Sequence, residues 1–272
     1  MLYWYGIKVG VFSLLRRKTS REVFKNIIVP ANYWRTLEFR LTFDELQPES
    51  TDCILDIGSP KLLSLFLADV IGAEVYSTDL KDYFFKDYVG FCKLLRIPEQ
   101  QFHVSIADGR HLPFVENFFS KIFSISVLEH IPDNGDSACV KEIARTLAPR
   151  GICVITVPFA SSAKEEYKQA RDFYWADRSR VKEQTTQVFY QRRYSEAALY
   201  DRLINPSGLK LQKLIFVGET FPLPKNTELA RFLPPITGVL HPLLSFLFHT
   251  HPERDWRRIR KPLCALIVLR KG

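Results

Sequence analysis

Three carboxylates recur at equivalent places in a repeating pattern: Asp56, Asp79 and Asp108 each end, or stand just beyond, a short run of apolar residues. A carboxylate at the carboxyl end of a strand, beside a glycine turn, is placed to accept hydrogen bonds from a ligand's hydroxyls or amines. Asp79 lies 23 residues after Asp56, near the spacing at which nucleotide-binding folds set the acid that holds a ribose. Any one of them could be an ordinary helix cap. Three in register point to a nucleotide-like ligand.

The elements that must carry these acids follow from the periodicity. Apolar, β-rich runs begin at Cys53, Glu74, Phe102, Lys121 and Gly151. Helical spacing fills Lys61–Gly72, Asp82–Arg96 and Asp136–Ala148 between them. Continuous apolar strands separated by helices predict a parallel sheet covered on both faces. A helix opening at Ser195 as N-cap, then runs at Leu209–Glu219 and Leu263–Gly272, complete seven strands. The expected fold is α/β, a doubly wound, mostly parallel, Rossmann-like sheet. An N-terminal helical extension occupies 1–50. The core spans 51–219 with an insertion at 160–193, and a lid-like apolar insertion and the final strand occupy 220–272. In such a sheet the ligand lies at the carboxyl ends of the strands.

Charge is unevenly placed in the 272 residues. Residues 1–50 carry eight Lys/Arg against five Asp/Glu, residues 220–272 nine against three, and the middle 21 against 22. A neutral core with basic ends argues against a nucleic-acid partner, whose binder holds its basic patch on the core surface. Neither Asn nor Asp precedes a Pro-Pro-aromatic sequence. Five scattered cysteines with no C-x-x-C fit a reducing cytoplasm better than a disulfide framework. His249 and His251 have metal-ligand spacing without an acidic or cysteine partner, so no metal is expected. The N-terminal aromatic run is shorter than the roughly 18 residues of a spanning helix, and its charges follow it instead of preceding it, unlike a secretory signal. It either packs on the domain or lies on an anionic membrane surface. The apolar run Phe232–Phe248 is broken by Pro234, Pro235 and Pro242, which disfavours one straight spanning helix. It suits a hydrophobic lid or a segment dipping into a membrane interface.

Five segments, in order, resemble those of class I S-adenosylmethionine-dependent methyltransferases of the small-molecule type. Ile54–Gly58 resembles the first glycine-loop motif, Tyr76–Asp79 the ribose-binding motif, and Ala107–Phe114 the motif whose acid reaches the adenine. Phe123–Ile131 resembles the strand-four motif and Ala144–Pro158 the helix, turn and strand after it. Tyr190–Ser195 is similar to a stretch before the family's next helix. The resemblance covers 53–158 well and 188–219 loosely. It implies S-adenosyl-L-methionine as cofactor, held by Asp56, Gly58, Ser59, Asp79, Leu80, Asp108, Gly109, Val127 and Glu129. One departure stands out: where the family continues Gly-x-Gly-x-Gly, this chain has Gly58-Ser59-Pro60-Lys61-Leu62. Pro60 fixes φ and lacks an N–H. The loop could still turn on Gly58 with Lys61 near the cofactor's carboxylate, or the site could be weakened.

Methyl transfer from a sulfonium is an in-line displacement in which the enzyme mainly supplies alignment. An O- or N-nucleophile could need a base, for which His130 is the candidate because imidazole titrates near neutrality; the alternative has His130 capping the next helix. Tyr190 and Arg193 are candidates for the substrate side. Arg192 and Arg193 are adjacent in an extended segment, so at most one faces a pocket. The expected activity is methyl transfer to a small or lipid-linked acceptor, in the cytoplasm or at a membrane surface. The alternative is a non-catalytic methyltransferase-like scaffold at a membrane.

Overall fold

In the computed structural model the chain is described at residues 1–82, 84–169, 187–220, 242–247 and 249–272. Most of the predicted lid and half of the insertion at 160–193, with Phe173, Tyr174 and Trp175, lie outside them. Seven strands form one sheet in the order β3-β2-β1-β4-β5-β9-β8: β1 (Cys53–Ile57), β2 (Glu74–Asp79), β3 (Phe102–Ile106), β4 (Phe119–Ile125), β5 (Leu147–Pro158), β8 (Lys210–Gly218) and β9 (Pro262–Arg270). β1 to β5 pair in parallel, and β9 inserts antiparallel between β5 and β8. The doubly wound, mostly parallel sheet expected from the periodicity is what forms, because its central strands carry apolar side chains on both faces: Ile54 and Leu55, Ile122 and Phe123, and Val154 and Ile155 are all fully buried.

Helices α4 (Leu62–Phe66, continued as a π-helical turn Leu67–Ile71), α5 (Phe85–Leu95) and α6 (Gly135–Thr146) connect the parallel strands. Ser195 Oγ accepts from Ala198 N at 3.3 Å, capping α7 (Glu196–Leu199) as its side chain predicts. Two differences from the sequence expectation bear on the site. First, the fourth strand stops at Ile125 and not at His130. Ser126 takes φ +50° and the chain coils into a 3₁₀ turn, Leu128–His130, that lifts Glu129 and His130 off the sheet edge. Second, β6 (Lys164–Gln169) and β7 (Gln187–Arg193) form an antiparallel hairpin in a stretch that reads only as polar and charged. Most side chains of β6 meet solvent and those of β7 are mixed polar and apolar, so the apolar alternation that advertises a strand is missing.

The N-terminal region is three helices: α1 (Leu2–Leu15), α2 (Arg21–Ile28) and α3 (Tyr33–Leu46). Ser20 and Asn32 cap α2 and α3 through Val23 N and Arg35 N. Tyr3, Tyr5, Val9 and Phe39 from these helices share one buried cluster with Ile54, Phe66 and Phe123 of the sheet and its helix layer. Of the two readings of the N-terminus, the inner face of α1 follows the packed one. No helix among the described residues is long and apolar enough to cross a membrane.

Candidate active site

β1 delivers Asp56 to the edge of the sheet and Gly58 then turns with φ +65°. A Cβ at Gly58 would sit 2.8 Å from Val127 Cγ1, so only glycine closes this turn against the end of β4. Asp56 is fully buried. Its Oδ2 accepts from Lys61 Nζ at 3.1 Å, Ser64 Oγ at 2.5 Å and Ser77 Oγ at 2.8 Å, and its Oδ1 accepts from Ser59 N at 3.0 Å. Lys61 also donates to Thr78 O at 2.7 Å and lies over the Phe84 ring. Ser59, likewise fully buried, uses its Oγ to accept from Ile125 N at 2.9 Å. Asp56 and Ser59 therefore brace the loop from beneath and present no side-chain atom to a ligand. Lys61 points inward and not toward a cofactor carboxylate. The physical reason is that Asp56 is sealed from water, and an uncompensated charge there would be costly.

At the ends of β2 and β3 the acids are only partly buried. Asp79 is half-buried, its Oδ1 accepting from Lys81 N at 3.3 Å. Leu80 and Ile106 beside it are 62% and 56% exposed, an apolar shelf next to a carboxylate. Asp108 is gripped by Arg110, with Nη2 to Oδ2 at 2.6 Å and the backbone N to Oδ1 at 2.9 Å. These hydrogen bonds hold its carboxyl below the ordinary value. Gly109 passes close to Cys139 Sγ and Ile57, which leaves little room for a larger residue.

The turn after β4 holds Glu129 and His130 side by side. Glu129 is buried, and its Oε2 has no hydrogen-bond partner among the described residues. Burial pushes its carboxyl up to about 8, Arg35 opposing and Glu38 reinforcing the shift. His130 Nδ1 is 2.7 Å from Tyr190 O; a carbonyl only accepts, so Nδ1 carries the proton. Desolvation holds the imidazole below its ordinary value, which leaves the ring neutral at pH 7 with Nε2 able to accept. That Nε2 is 3.8 Å from Glu129 Oε1.

Sequence reasoning missed the contribution of α3. Its first turns enter the carboxyl edge of the sheet, where buried Glu38 accepts from Ser126 Oγ at 2.5 Å and Thr156 Oγ1 at 3.1 Å and pairs with Arg35 at 2.6 Å. Nothing local marks Glu38, because its partners are 88 and 118 residues away. A cavity of about 450 Å³ lies here. Tyr33, Trp34, Arg35 and Glu38 line one side, and Ser126, Pro158, Arg193, Glu219, Lys261 and Cys264 contribute most of the rest. Its charges are matched: Arg193 to Glu166 at 2.7 Å and Lys261 to Glu219 at 2.8 Å. Of the two adjacent arginines, Arg193 reaches the cavity. Arg192 is buried against Asp136 at 3.0 Å, where Tyr194 and Arg202 also converge. Tyr190 joins His130 instead, ring centroids 5.3 Å apart.

Comparison with known proteins bears on the fold that carries these residues. Residues 55–155 match the family described as "Methyltransferase domain". No protein of curated function matches the sequence. Among solved structures, the [4+2]-cyclase SpnF shares 12% identity over 88% of this chain and 81% of its own, with a TM-score of 0.57. The 1,6-didemethyltoxoflavin-N1-methyltransferase of Burkholderia thailandensis, with 1,6-didemethyltoxoflavin and S-adenosylhomocysteine bound, shares 13% over 87% and 77%, TM-score 0.53. The geranyl diphosphate C-methyltransferase of Streptomyces coelicolor A3(2), in complex with Mg2+, geranyl diphosphate and S-adenosyl-L-homocysteine, shares 11% over 88% and 78%, TM-score 0.54. At such identities the likeness is one of fold. One of the three is a cyclase, so the fold by itself does not fix the reaction.

Proposed function

We propose that the chain, whose residues 55–155 match a methyltransferase domain, transfers a methyl group from S-adenosyl-L-methionine to a small acceptor, free or lipid-linked. The observation that carries this is the coincidence of the matched segment with β1–β5, whose carboxyl ends hold Gly58, Asp79, Asp108 and the Glu129-His130 turn.

The donor set fits the nucleoside half of the cofactor. Asp79 is a half-buried carboxylate suited to a ribose diol, Leu80 and Ile106 offer an apolar shelf for a base, and Asp108 with Gly109 closes the far side. Gly58, Val127 and Glu129 face the other half, while Asp56 and Ser59 position the loop from below. Bound S-adenosylmethionine supplies an electrophilic methyl on a sulfonium. The chain supplies alignment and a proton acceptor. Tyr190 O fixes the His130 tautomer, and Nε2 takes the proton of an O- or N-nucleophile. Arg193, Tyr33 and Trp34 hold the polar end of the acceptor. His130→Gln is expected to lower kcat about a hundredfold with little change in cofactor affinity, read by steady-state kinetics beside a cofactor titration.

The first test is calorimetric titration of S-adenosylmethionine and S-adenosylhomocysteine into the wild type and Asp79→Ala. Losing charge-assisted hydrogen bonds to two hydroxyls weakens binding by about a hundredfold or more. A wild type that binds neither ligand overturns the proposal. It would favour the non-catalytic scaffold, the reading that the inward turn of Lys61 and the consumed loop N–H of Ser59 support.

A further inference from the structure

Beside the cavity, the short helix at 242–247 is built inside out. Leu243, Phe246 and Leu247, spaced to share one helical face, are 52%, 76% and 54% exposed, whereas Ser245 is buried. Buried polar groups and exposed clusters of large apolar side chains are the informative departures from ordinary burial. The helix hangs from the cavity wall. His249 Nδ1 is 2.8 Å from Ser245 O and 3.1 Å from Ser245 Oγ, and the imidazole stacks on Tyr33 at 5.0 Å and packs against Trp34 at 4.5 Å. Both aromatic residues line the cavity.

A basic strip follows on the same connection. Arg254, Arg258 and Arg260 are exposed and make no ion pair among the described residues. Between them Ile259 is buried, and next to them Lys261 enters the cavity lining. An exposed apolar face with unpaired cations beside it is the combination that an anionic lipid surface complements: acyl carbon for one, headgroup phosphate for the other.

We propose that this rim docks on an anionic bilayer. Leu243, Phe246 and Leu247 enter the interfacial layer, and Arg254, Arg258 and Arg260 contact the headgroups. The cavity then opens at headgroup depth, where a lipid-linked acceptor presents its polar end; this last clause rests on the methyltransfer reading of the cavity, while the docking itself does not.

The test is flotation of the full chain with phosphatidylcholine vesicles, with and without phosphatidylglycerol. The wild type is expected to float with the anionic vesicles only. Each Arg near an anionic surface changes partitioning by about fivefold, so the triple Arg254→Glu, Arg258→Glu, Arg260→Glu variant is expected to bind at least about a hundredfold more weakly. The triple Leu243→Ser, Phe246→Ser, Leu247→Ser variant is expected to lose at least about tenfold through lost apolar burial. Lys210→Glu with Arg270→Glu, at the other ends of β8 and β9, leaves flotation unchanged. Thermal unfolding reports folding of every variant, and the cofactor titration stands or falls independently of flotation. Equal flotation with neutral and anionic vesicles, none at all, or unchanged flotation of both triple variants overturns the docking. So does light scattering that shows a dimer which the serine variant dissociates, since a second copy would then cover the face.

Discussion

Lys61→Met is expected to destabilise the folded chain by about 3–5 kcal/mol, the usual cost of stripping one partner from a buried ion pair. Lys61 and Asp56 side chains are 2% and 0% exposed. Methionine keeps the aliphatic stem and its contact with Phe84 but leaves Asp56 without its counter-charge and Thr78 O with only the hydrogen bond from Gly58 N. The hydroxyls of Ser64 and Ser77 still reach the carboxylate, which places the loss toward the lower end of that range. Thermal unfolding is expected to fall by about 10 °C, at a few degrees per kcal/mol for a chain of this size. Adding Asp56→Asn to Lys61→Met removes the orphaned charge and should recover part of the loss. If Lys61→Met unfolds within a degree of the wild type, Asp56 is compensated by water and the loop is not sealed as described.

Glu129→Gln should raise stability at alkaline pH and flatten its pH dependence. Burial holds the folded Glu129 carboxyl protonated up to about pH 8, whereas the unfolded chain releases that proton near pH 4.5. The folded state thus binds more protons across that window. Its stability from this group is complete below the unfolded pKa and is lost as pH rises through the window, by about 3–5 kcal/mol at the upper end. Gln is neutral throughout and of nearly the same shape. Denaturant unfolding at pH 5 and pH 9 separates the outcomes: a wild type that loses stability between them beside a variant that does not is the expected pair. Equal slopes in both would mean that Glu129 is ionised and paired in the fold. The same variant bears on chemistry, because His130 Nε2 lies 3.8 Å from Glu129 Oε1. A neutral neighbour leaves the imidazole's proton affinity to Tyr190 O and desolvation, so Glu129→Gln should shift the pH profile of turnover less than it shifts stability.

The sheet was legible in the sequence because its strands bury both faces. Val154-Ile155 or Ile54-Leu55 has no amphipathic alternative, and the glycines at 58 and 72 end their elements where positive φ is needed. The strand-end acids were legible for the same reason, since an aspartate that terminates such a run has only the sheet's carboxyl edge to occupy. What the groups at that edge do was not legible, because it depends on distant partners. Asp56 and Lys61 carry the same types as ligand-binding groups, and only the packing of β2 beside β1 brings Thr78 O and Ser77 to them and turns both inward. Glu38 reads as one more charge on an N-terminal helix until the fold carries it to Ser126 and Thr156. The β6–β7 hairpin escaped because β6 mostly faces water and neither strand carries an apolar period. Local sequence thus determined where the strands run and which acids reach their ends. The tertiary structure alone decided which of those charges are neutralised within the protein and by what partner, because charge pairing acts across a few ångströms of space whatever the separation along the chain.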